Sequence, residues 1–140
     1  MVFDSVAYRN VVSNGLVLDK DGKKMSKRLG NAVNPFETVD EHGPDATRWY
    51  LISNANPWDN LKFDMDGIVE VKRKFFGTLY NTYSFFALYA NIDGFCYQEE
   101  EIPIGQRPEI DRWILSELNT LILETDRAFE TYDATRAARM

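Results

Sequence analysis

Two long runs of apolar residues at helical spacing restrict what this chain can fold into. They occupy residues 66–91 and 109–132, where an apolar side chain returns at every third or fourth position. The first stripe is so wide that we expect its helix to be largely buried, and the second requires a packing partner. The stripes contain Ile68, Val71, Phe75, Phe76, Leu79, Tyr80, Tyr83, Phe86 and Tyr89, then Ile110, Trp113, Ile114, Leu118, Leu121, Ile122, Thr125 and Phe129.

Shorter elements are predicted before these helices. Apolar residues 11–12 and 16–18 flank a Ser-Asn-Gly sequence, which predicts two short strands around a turn. Asn34 suits the position just before a helix, which we expect to start at Pro35 and end at His42. A further helix over residues 44–53 and a brief strand over residues 61–63 follow. Residues 19–30 show no apolar periodicity and are predicted to form a loop.

The two long helices are separated by a predicted linker at residues 91–108. Gly94, two prolines and the acidic run at residues 99–101 interrupt every periodic pattern there, and the acidic run is expected to face solvent. Asp133 caps the start of one more helix. The predicted fold is therefore mainly α with a small β component, in the order strand, helix, helix, strand, helix.

Composition narrows the class of protein. The chain has 140 residues, of which 44% are hydrophobic and 14% aromatic, enough apolar surface to exclude wholesale disorder. No membrane-length apolar stretch and no signal peptide are visible, and the single cysteine, Cys96, excludes an internal disulfide. We expect a soluble protein of a reducing, cytoplasmic compartment. The net charge of -6 is unusual for a freestanding nucleic-acid binder.

A local basic cluster stands out against this acidic background. Five cations lie within residues 20–28, opposed only by Asp21; they are Lys20, Lys23, Lys24, Lys27 and Arg28. Lysines on a loop bounded by glycines can move toward a polyanion, and ammonium groups would stabilise charge that grows on a departing pyrophosphate. The alternative is a solvated surface loop, which is the commoner meaning of a generic basic run.

The exact string favours the first interpretation. Lys24-Met25-Ser26-Lys27, followed by Leu29-Gly30-Asn31, resembles the KMSKS signature of class I aminoacyl-tRNA synthetases. Residues 34–64, 72–95 and 107–122 are similar to the segment that follows this signature in the isoleucine-specific members. The resemblance covers residues 15–140, and the WDNLKF stretch favours the isoleucine branch over its valine, leucine and methionine relatives.

The resemblance implies activation of isoleucine with ATP and Mg²⁺ to isoleucyl-adenylate, then transfer to tRNA(Ile). Lys24 and Lys27 would be the catalytic lysines at the ATP phosphates, Met25 would pack beneath the loop or near the adenine, and Ser26 could lend a hydroxyl or backbone amide. Arg28 departs from the usual serine and would either bind phosphate or, as we favour, face water. No metal site and no cofactor held by this segment alone are predicted.

The family also suggests a division of the chain. Residues 1–65 would be the end of the catalytic region, with the signature loop and a β-α-α-β-α stem-contact module, and residues 66–140 the connecting helix and the first helices of an incomplete antiparallel anticodon-binding bundle. The HIGH-type motif, Rossmann core and editing domain of the family are missing, so the piece is expected to be inactive alone. A freestanding, non-catalytic helical module that binds tRNA or a protein is the alternative.

Several residues keep more than one interpretation. His42 is the only histidine, and a partly exposed position at a helix end is favoured over a functional one. Trp49 and Trp113 are expected in the core, whereas Trp58 lies in a turn and could touch tRNA. The basic cluster at residues 72–74 could meet an RNA backbone, although a solvated helix face is favoured.

Overall fold

The computed structural model describes residues 4–140 and confirms a mainly α fold with a small β component. The elements in chain order are β1 (Val17–Leu18), α1 (Pro35–His42), α2 (Pro44–Asn54), β2 (Leu61–Lys62), α3 (Met65–Val71), α4 (Gly77–Asp93), α5 (Glu109–Glu130) and α6 (Ala134–Arg139). A π-helical stretch, Lys72–Phe76, joins α3 to α4, and short 3₁₀ helices lie at Lys27–Leu29 and Ile104–Gln106. The predicted order of strand, helix, helix, strand, helix is confirmed.

The partner of the first strand differs from the prediction. Residues 11–12 form no strand, and β1 pairs in parallel with β2. The backbone N–H groups of Leu61 and Phe63 donate to the carbonyls of Leu16 and Leu18, both at 2.9 Å. The reason is burial: Leu61 and Phe63 belong to the core, whereas residues 11–12 stay exposed. The local apolar pattern therefore predicts the strand at residues 16–18 but not the strand with which it pairs.

Helices α1 and α2 begin where the sequence predicts. The Asn34 side chain accepts a hydrogen bond from the Phe36 N–H at 3.1 Å, so it satisfies one of the free donors at the start of α1. Pro35 and Pro44 occupy the first position of their helices. Helix α2 runs one residue beyond the predicted end, to Asn54.

A small core forms where α2, β2 and α3 meet. Its buried members are Ala46, Tyr50, Leu61, Phe63 and Ile68, and Ile68 is fully buried. The Tyr50 hydroxyl donates to the Lys62 carbonyl at 3.0 Å and accepts from the Asp64 N–H at 2.9 Å. A single side chain of α2 thus satisfies backbone groups at the end of β2, and burial raises the pKa of that hydroxyl.

The long helix predicted over residues 66–91 is not one continuous α-helix. Helix α3 begins at Met65, a π-helical turn interrupts the hydrogen-bond pattern at Lys72–Phe76, and α4 continues to Asp93. Consecutive residues Phe75 and Phe76 both contact Trp49 there, with ring centroids 4.0 and 6.2 Å away. The π turn widens the helix here, so its side chains depart from the regular 3.6-residue spacing.

The expectation that this helix is largely buried is wrong for α4. Its aromatic and aliphatic side chains are exposed in this chain, and they include Leu79, Tyr80, Tyr83, Phe85, Phe86, Leu88, Tyr89 and Ile92. Trp113, expected in the core, is 57% exposed on α5, whereas Trp49 is half-buried. The chain exposes 11894 Å², against roughly 7,500 Å² for a self-contained protein of its 16.2 kDa. The long helices therefore present apolar faces that no segment of residues 4–140 covers.

Helix α6 turns back onto the first half of the chain. Asp133 caps it as predicted, because its side chain accepts from the Arg136 N–H at 3.0 Å. The buried Thr135 hydroxyl donates to the Ala55 carbonyl at 2.8 Å, and the Arg139 guanidinium donates to the carbonyls of Ser53 and Asn54 at 2.7 and 2.9 Å. These carbonyls lie at the end of α2, where a cation also favours the helix dipole. Residues 4–140 contain no helix long and apolar enough to cross a membrane.

Two glycine substitutions should test the packing of α3 on Tyr50. A Cβ at Gly67 would lie 2.3 Å from the Tyr50 ring, so Gly67→Ala should lower the free energy of unfolding by about 1–3 kcal/mol. Gly77→Ala is the control, because a Cβ there meets only the Lys72 carbonyl, at 3.5 Å. This variant should raise the free energy of unfolding by about 0.5–1 kcal/mol, since alanine favours a helix over glycine. Urea unfolding followed by circular dichroism measures both. Equal shifts in the two variants would contradict this packing.

Candidate functional site

The basic loop begins directly after β1 with a turn closed by Asp19. The Asp19 carboxylate accepts hydrogen bonds from the N–H groups of Asp21 and Lys23, at 3.1 and 2.7 Å. The Asp19 backbone also accepts from Gly22 N–H and donates to the Lys23 carbonyl, both at 2.9 Å. Gly22 has a φ of 81°, a left-handed conformation that glycine adopts at little cost. The loop thus leaves β1 through a defined turn rather than as a free chain.

The signature residues have two different environments. Met25 is half-buried and packs against the core cluster, so it anchors the loop from beneath. Lys27 begins the short 3₁₀ helix that ends at Leu29, and Gly30 follows with a left-handed φ of 69°. The Ser26 N–H donates to the Asn31 side chain at 2.9 Å. The predicted loop at residues 19–30 thus contains a defined turn, a 3₁₀ helix and a side-chain contact across its base.

The cations of the loop are exposed, and Lys23 lies near enough to Asp19 for its charge to help lower the pKa of that carboxyl. Lys24, Lys27 and Arg28 are exposed, as are Lys20 and Lys23. In the described part of the chain, none of these five side chains has a carboxylate oxygen within 4.0 Å. Unpaired cations this close together favour binding of an anion that carries several charges.

Asn31 joins the two ends of the loop. Its Nδ2 donates to Asp19 Oδ2 at 2.7 Å and to the Lys24 carbonyl at 3.3 Å, while its Oδ1 accepts from Ser26. The hydrogen bond from Asn31 is the largest cause of the lowered pKa of Asp19, and the hydrogen bond from the Lys23 N–H is the next. Sequence reasoning did not assign a part to Asp19 or Asn31. The available signal was an aspartate directly after a strand with a glycine three residues on, the pattern of a side-chain-closed turn.

The other residues considered from the sequence lie outside this loop. His42 ends α1, with its Nε2 3.9 Å from Glu41 Oε2, and Trp58 is 51% exposed in the turn before β2. Lys74 pairs with Glu70 one helical turn away, which lowers the pKa of Glu70. Cys96 is exposed. Contact of Trp58 or residues 72–74 with RNA stays an untested alternative, and residues 72–74 are exposed, as a solvated helix face would be.

No group of three or more His, Cys, Asp or Glu side chains within residues 4–140 is arranged to hold a metal ion.

Comparison with known families matches the first half of the chain. Residues 1–64 match the family model described as tRNA synthetases class I (I, L, M and V). Among solved structures, a LeuRS–tRNA–LeuAMS ternary complex from Agrobacterium radiobacter K84 is similar, with a TM-score of 0.71 and 26% identity over 89% of this chain and 16% of that chain. The similarity in structure therefore extends past the region that the family model covers.

Comparison with curated proteins covers the whole chain. Isoleucine--tRNA ligase of Bacteroides fragilis is 68% identical over 140 residues, which are 100% of this chain and 12% of that protein. The isoleucine--tRNA ligases of Cytophaga hutchinsonii and Thermus thermophilus are 65% and 43% identical over 99% of this chain and 12% and 13% of their own lengths. The chain thus spans about one eighth of the relatives that it matches.

The contribution of Asn31 to the lowered pKa of Asp19 should be measurable. Because the pKa of Asp19 is lowered in the folded chain, its contribution to stability is present above the pKa of a free carboxyl and is lost as the pH falls through the folded value. Asn31→Ala should raise the pKa of Asp19 toward that of a free aspartate. Carbon-detected NMR titration of the side-chain carboxyls measures this shift.

Glu70 provides the internal reference for that titration. Its pKa is lowered by Lys74 and does not depend on Asn31, so it should be the same in both proteins. An Asp19 pKa that stays low in Asn31→Ala would show that the backbone N–H groups, and not Asn31, hold the carboxylate in its ionised form.

Proposed function

The chain belongs to the class I aminoacyl-tRNA synthetases, and we propose that it supplies the phosphate-binding loop and tRNA-contacting helices of an isoleucine--tRNA ligase. The intact enzyme would activate isoleucine with ATP to isoleucyl-adenylate and pyrophosphate, then transfer the isoleucyl group to tRNA(Ile). The observation that carries the proposal is 68% identity along the entire chain, signature loop included, to an enzyme of that name. We infer that the enzyme is cytoplasmic, since tRNA(Ile) is charged where translation takes place.

Lys24 and Lys27 are proposed to act on the phosphates of ATP, which enters as a complex with Mg²⁺. Attack of the isoleucine carboxylate on the α-phosphorus forms the adenylate bond and breaks the bond to the β-phosphate oxygen, which leaves as pyrophosphate. Negative charge grows on that leaving group. Ammonium groups that hold this charge bind the transition state more tightly than the substrate, and thereby raise kcat. The absence of a carboxylate beside Lys24 or Lys27 supports this assignment, because neither charge is already neutralised within the described residues.

The remaining signature residues are proposed to support these lysines. Met25 packs on the core, which favours an anchoring part over a contact with adenine. The Ser26 N–H is occupied by Asn31, so the hydroxyl is the group that Ser26 can offer to ATP. Arg28 is exposed within the 3₁₀ helix, beside Lys27. We assign it a peripheral place at the ATP site, where it adds charge but is not aimed by any contact.

The two parts of the chain are proposed to serve different contacts. Residues 1–65 would be the end of the catalytic region and its stem-contact module, and the family match at residues 1–64 supports this division. Residues 66–140 would start the anticodon-binding domain; Ile68 of α3 nevertheless packs in the core of the first part. The similar LeuRS was solved with tRNA, which supports tRNA as a partner of these elements.

The rest of the synthetase chain is the other proposed partner. The HIGH-type motif, the Rossmann core and the editing domain lie in no part of these 140 residues. ATP held only by the signature loop would lack the amino-acid site, so we propose that activation requires the longer protein. The apolar faces of α4 and α5 agree with a segment that packs against more protein than the chain contains.

Lys27→Ala in the full-length synthetase tests the proposal. Loss of one charge contact made in the transition state should slow isoleucine-dependent ATP–pyrophosphate exchange by about a hundredfold or more, mainly through kcat. Lys20→Ala removes an equally exposed cation of the same loop outside the signature, and should change the rate little.

The unmodified enzyme is assayed in parallel with isoleucine, valine, leucine and methionine. Exchange driven best by isoleucine is the expected result. An enzyme that responds best to another of these amino acids would refute the isoleucine assignment, and equal rates for Lys27→Ala and Lys20→Ala would refute the part of Lys27.

A further inference from the structure

The side chain of Asn31 sits where the signature loop closes on itself. One carboxamide binds three groups: the Asp19 carboxylate at 2.7 Å, the Lys24 carbonyl at 3.3 Å and the Ser26 N–H at 2.9 Å. Two of these groups belong to the signature itself. The third, Asp19, is fixed by the turn at the end of β1. Asn31 therefore links the start of the signature to the sheet.

We propose that Asn31 and Asp19 form a clasp, the hydrogen-bonded pair of their side chains, that positions the lysines of the loop for transfer chemistry. The clasp rests on the proposed function, since the transfer it serves is the attack on ATP. Asn31 and Asp19 are positioning residues: Asn31 acts through the backbone of Lys24 and Ser26, and Asp19 acts through Asn31.

A clasp is needed in addition to the Asp19 turn and the bridge between Leu18 and Lys24, because these contacts end before Lys27. Five cations within nine residues repel one another, and two glycines in left-handed conformations give the backbone freedom. Met25 fixes the middle of the signature by packing, but packing alone does not set the direction of Lys24 or Lys27. Charges fixed before the reaction stabilise a transition state without reorganisation, whereas mobile charges must first be ordered.

The polarity of the clasp is defined on both sides. The Asp19 carboxylate can only accept hydrogen bonds, and it already accepts from two N–H groups, so Asn31 must present its NH₂ to Asp19 and its oxygen to Ser26. An exchange of the two side chains preserves this pairing. Asparagine at position 19 would donate to aspartate at position 31, and its own oxygen would still accept from the turn.

The exchange of side chains provides the test, carried out in the full-length synthetase. Asn31→Asp places two carboxylates together, and Asp19→Asn places two NH₂ groups together. Each single variant should lower kcat for ATP–pyrophosphate exchange by about tenfold to a hundredfold, the scale for misplaced catalytic groups. The double variant, D19N with N31D, should regain part of that kcat, because the bond between the two side chains and the bond from Ser26 are restored while the bond to the Lys24 carbonyl is lost.

Further measurements separate positioning from folding. The KM for isoleucine should be unchanged in the single variants, since the clasp binds no amino acid, and the thermal unfolding midpoint should fall only slightly, since Asp19 and Asn31 are half-buried and lie outside the core. Unchanged kcat in both single variants would overturn the clasp. Unfolded single variants with no recovery of kcat in the double variant would also overturn it, because the pair would then be only structural.

Failure of the clasp is distinguishable from failure of the proposed function. The unmodified enzyme is measured first, and isoleucine-dependent exchange there tests the function without reference to Asn31. If the unmodified enzyme catalyses isoleucine-dependent exchange and the substitutions do not change kcat, only the proposal of the clasp is refuted. Absence of exchange in the unmodified enzyme removes the proposed function, and the clasp as a catalytic device with it.

Discussion

The parallel contact between β1 and β2 is the constraint on which the other features of this chain depend. It is only two residue pairs long, yet it attaches the segment before the signature loop to the strand that carries Leu61 and Phe63 into the core. Gly15 allows the approach, since a Cβ there would lie 2.0 Å from the Asp59 carbonyl oxygen. Without this contact the basic loop would have no fixed origin, and neither Asp19 nor Met25 would have a framework to act on.

Local chemistry explains why some elements could be predicted and others could not. Asn34 and Asp133 mark helix starts by hydrogen bonds to N–H groups two or three residues away, so their signals are complete within a short stretch of sequence. The partner of β1 lies 44 positions away, and no local pattern encodes it. The π turn at Lys72–Phe76 coincides with contacts to Trp49, 26 and 27 positions before Phe75 and Phe76, and helical periodicity does not indicate it.

The site divides in the same way. The parts of the lysines and Met25 stay predictions from the signature string, and the structure adds that the lysines are exposed and that Met25 packs on the core. Asn31 and Asp19 stand 12 positions apart and meet only when the loop closes, so their relation is a property of the fold. The burial of α4 and Trp113 was mispredicted for a related reason: an apolar stripe indicates that a helix face will be covered, but not by which segment.

Charge and packing together explain how a basic loop can belong to an acidic chain. The excess of acidic residues lies in residues 93–140, which contain 11 acidic and 5 basic side chains, while residues 1–48 are balanced. Helix α6 nevertheless contributes cations to the first half, since Arg139 binds the carbonyls at the end of α2. Because α2 also carries Tyr50, the contact of α6 reaches the strand next to the loop through one rigid helix. Helix α2 therefore connects α6 with β2, the strand that pairs with β1 ahead of the signature loop.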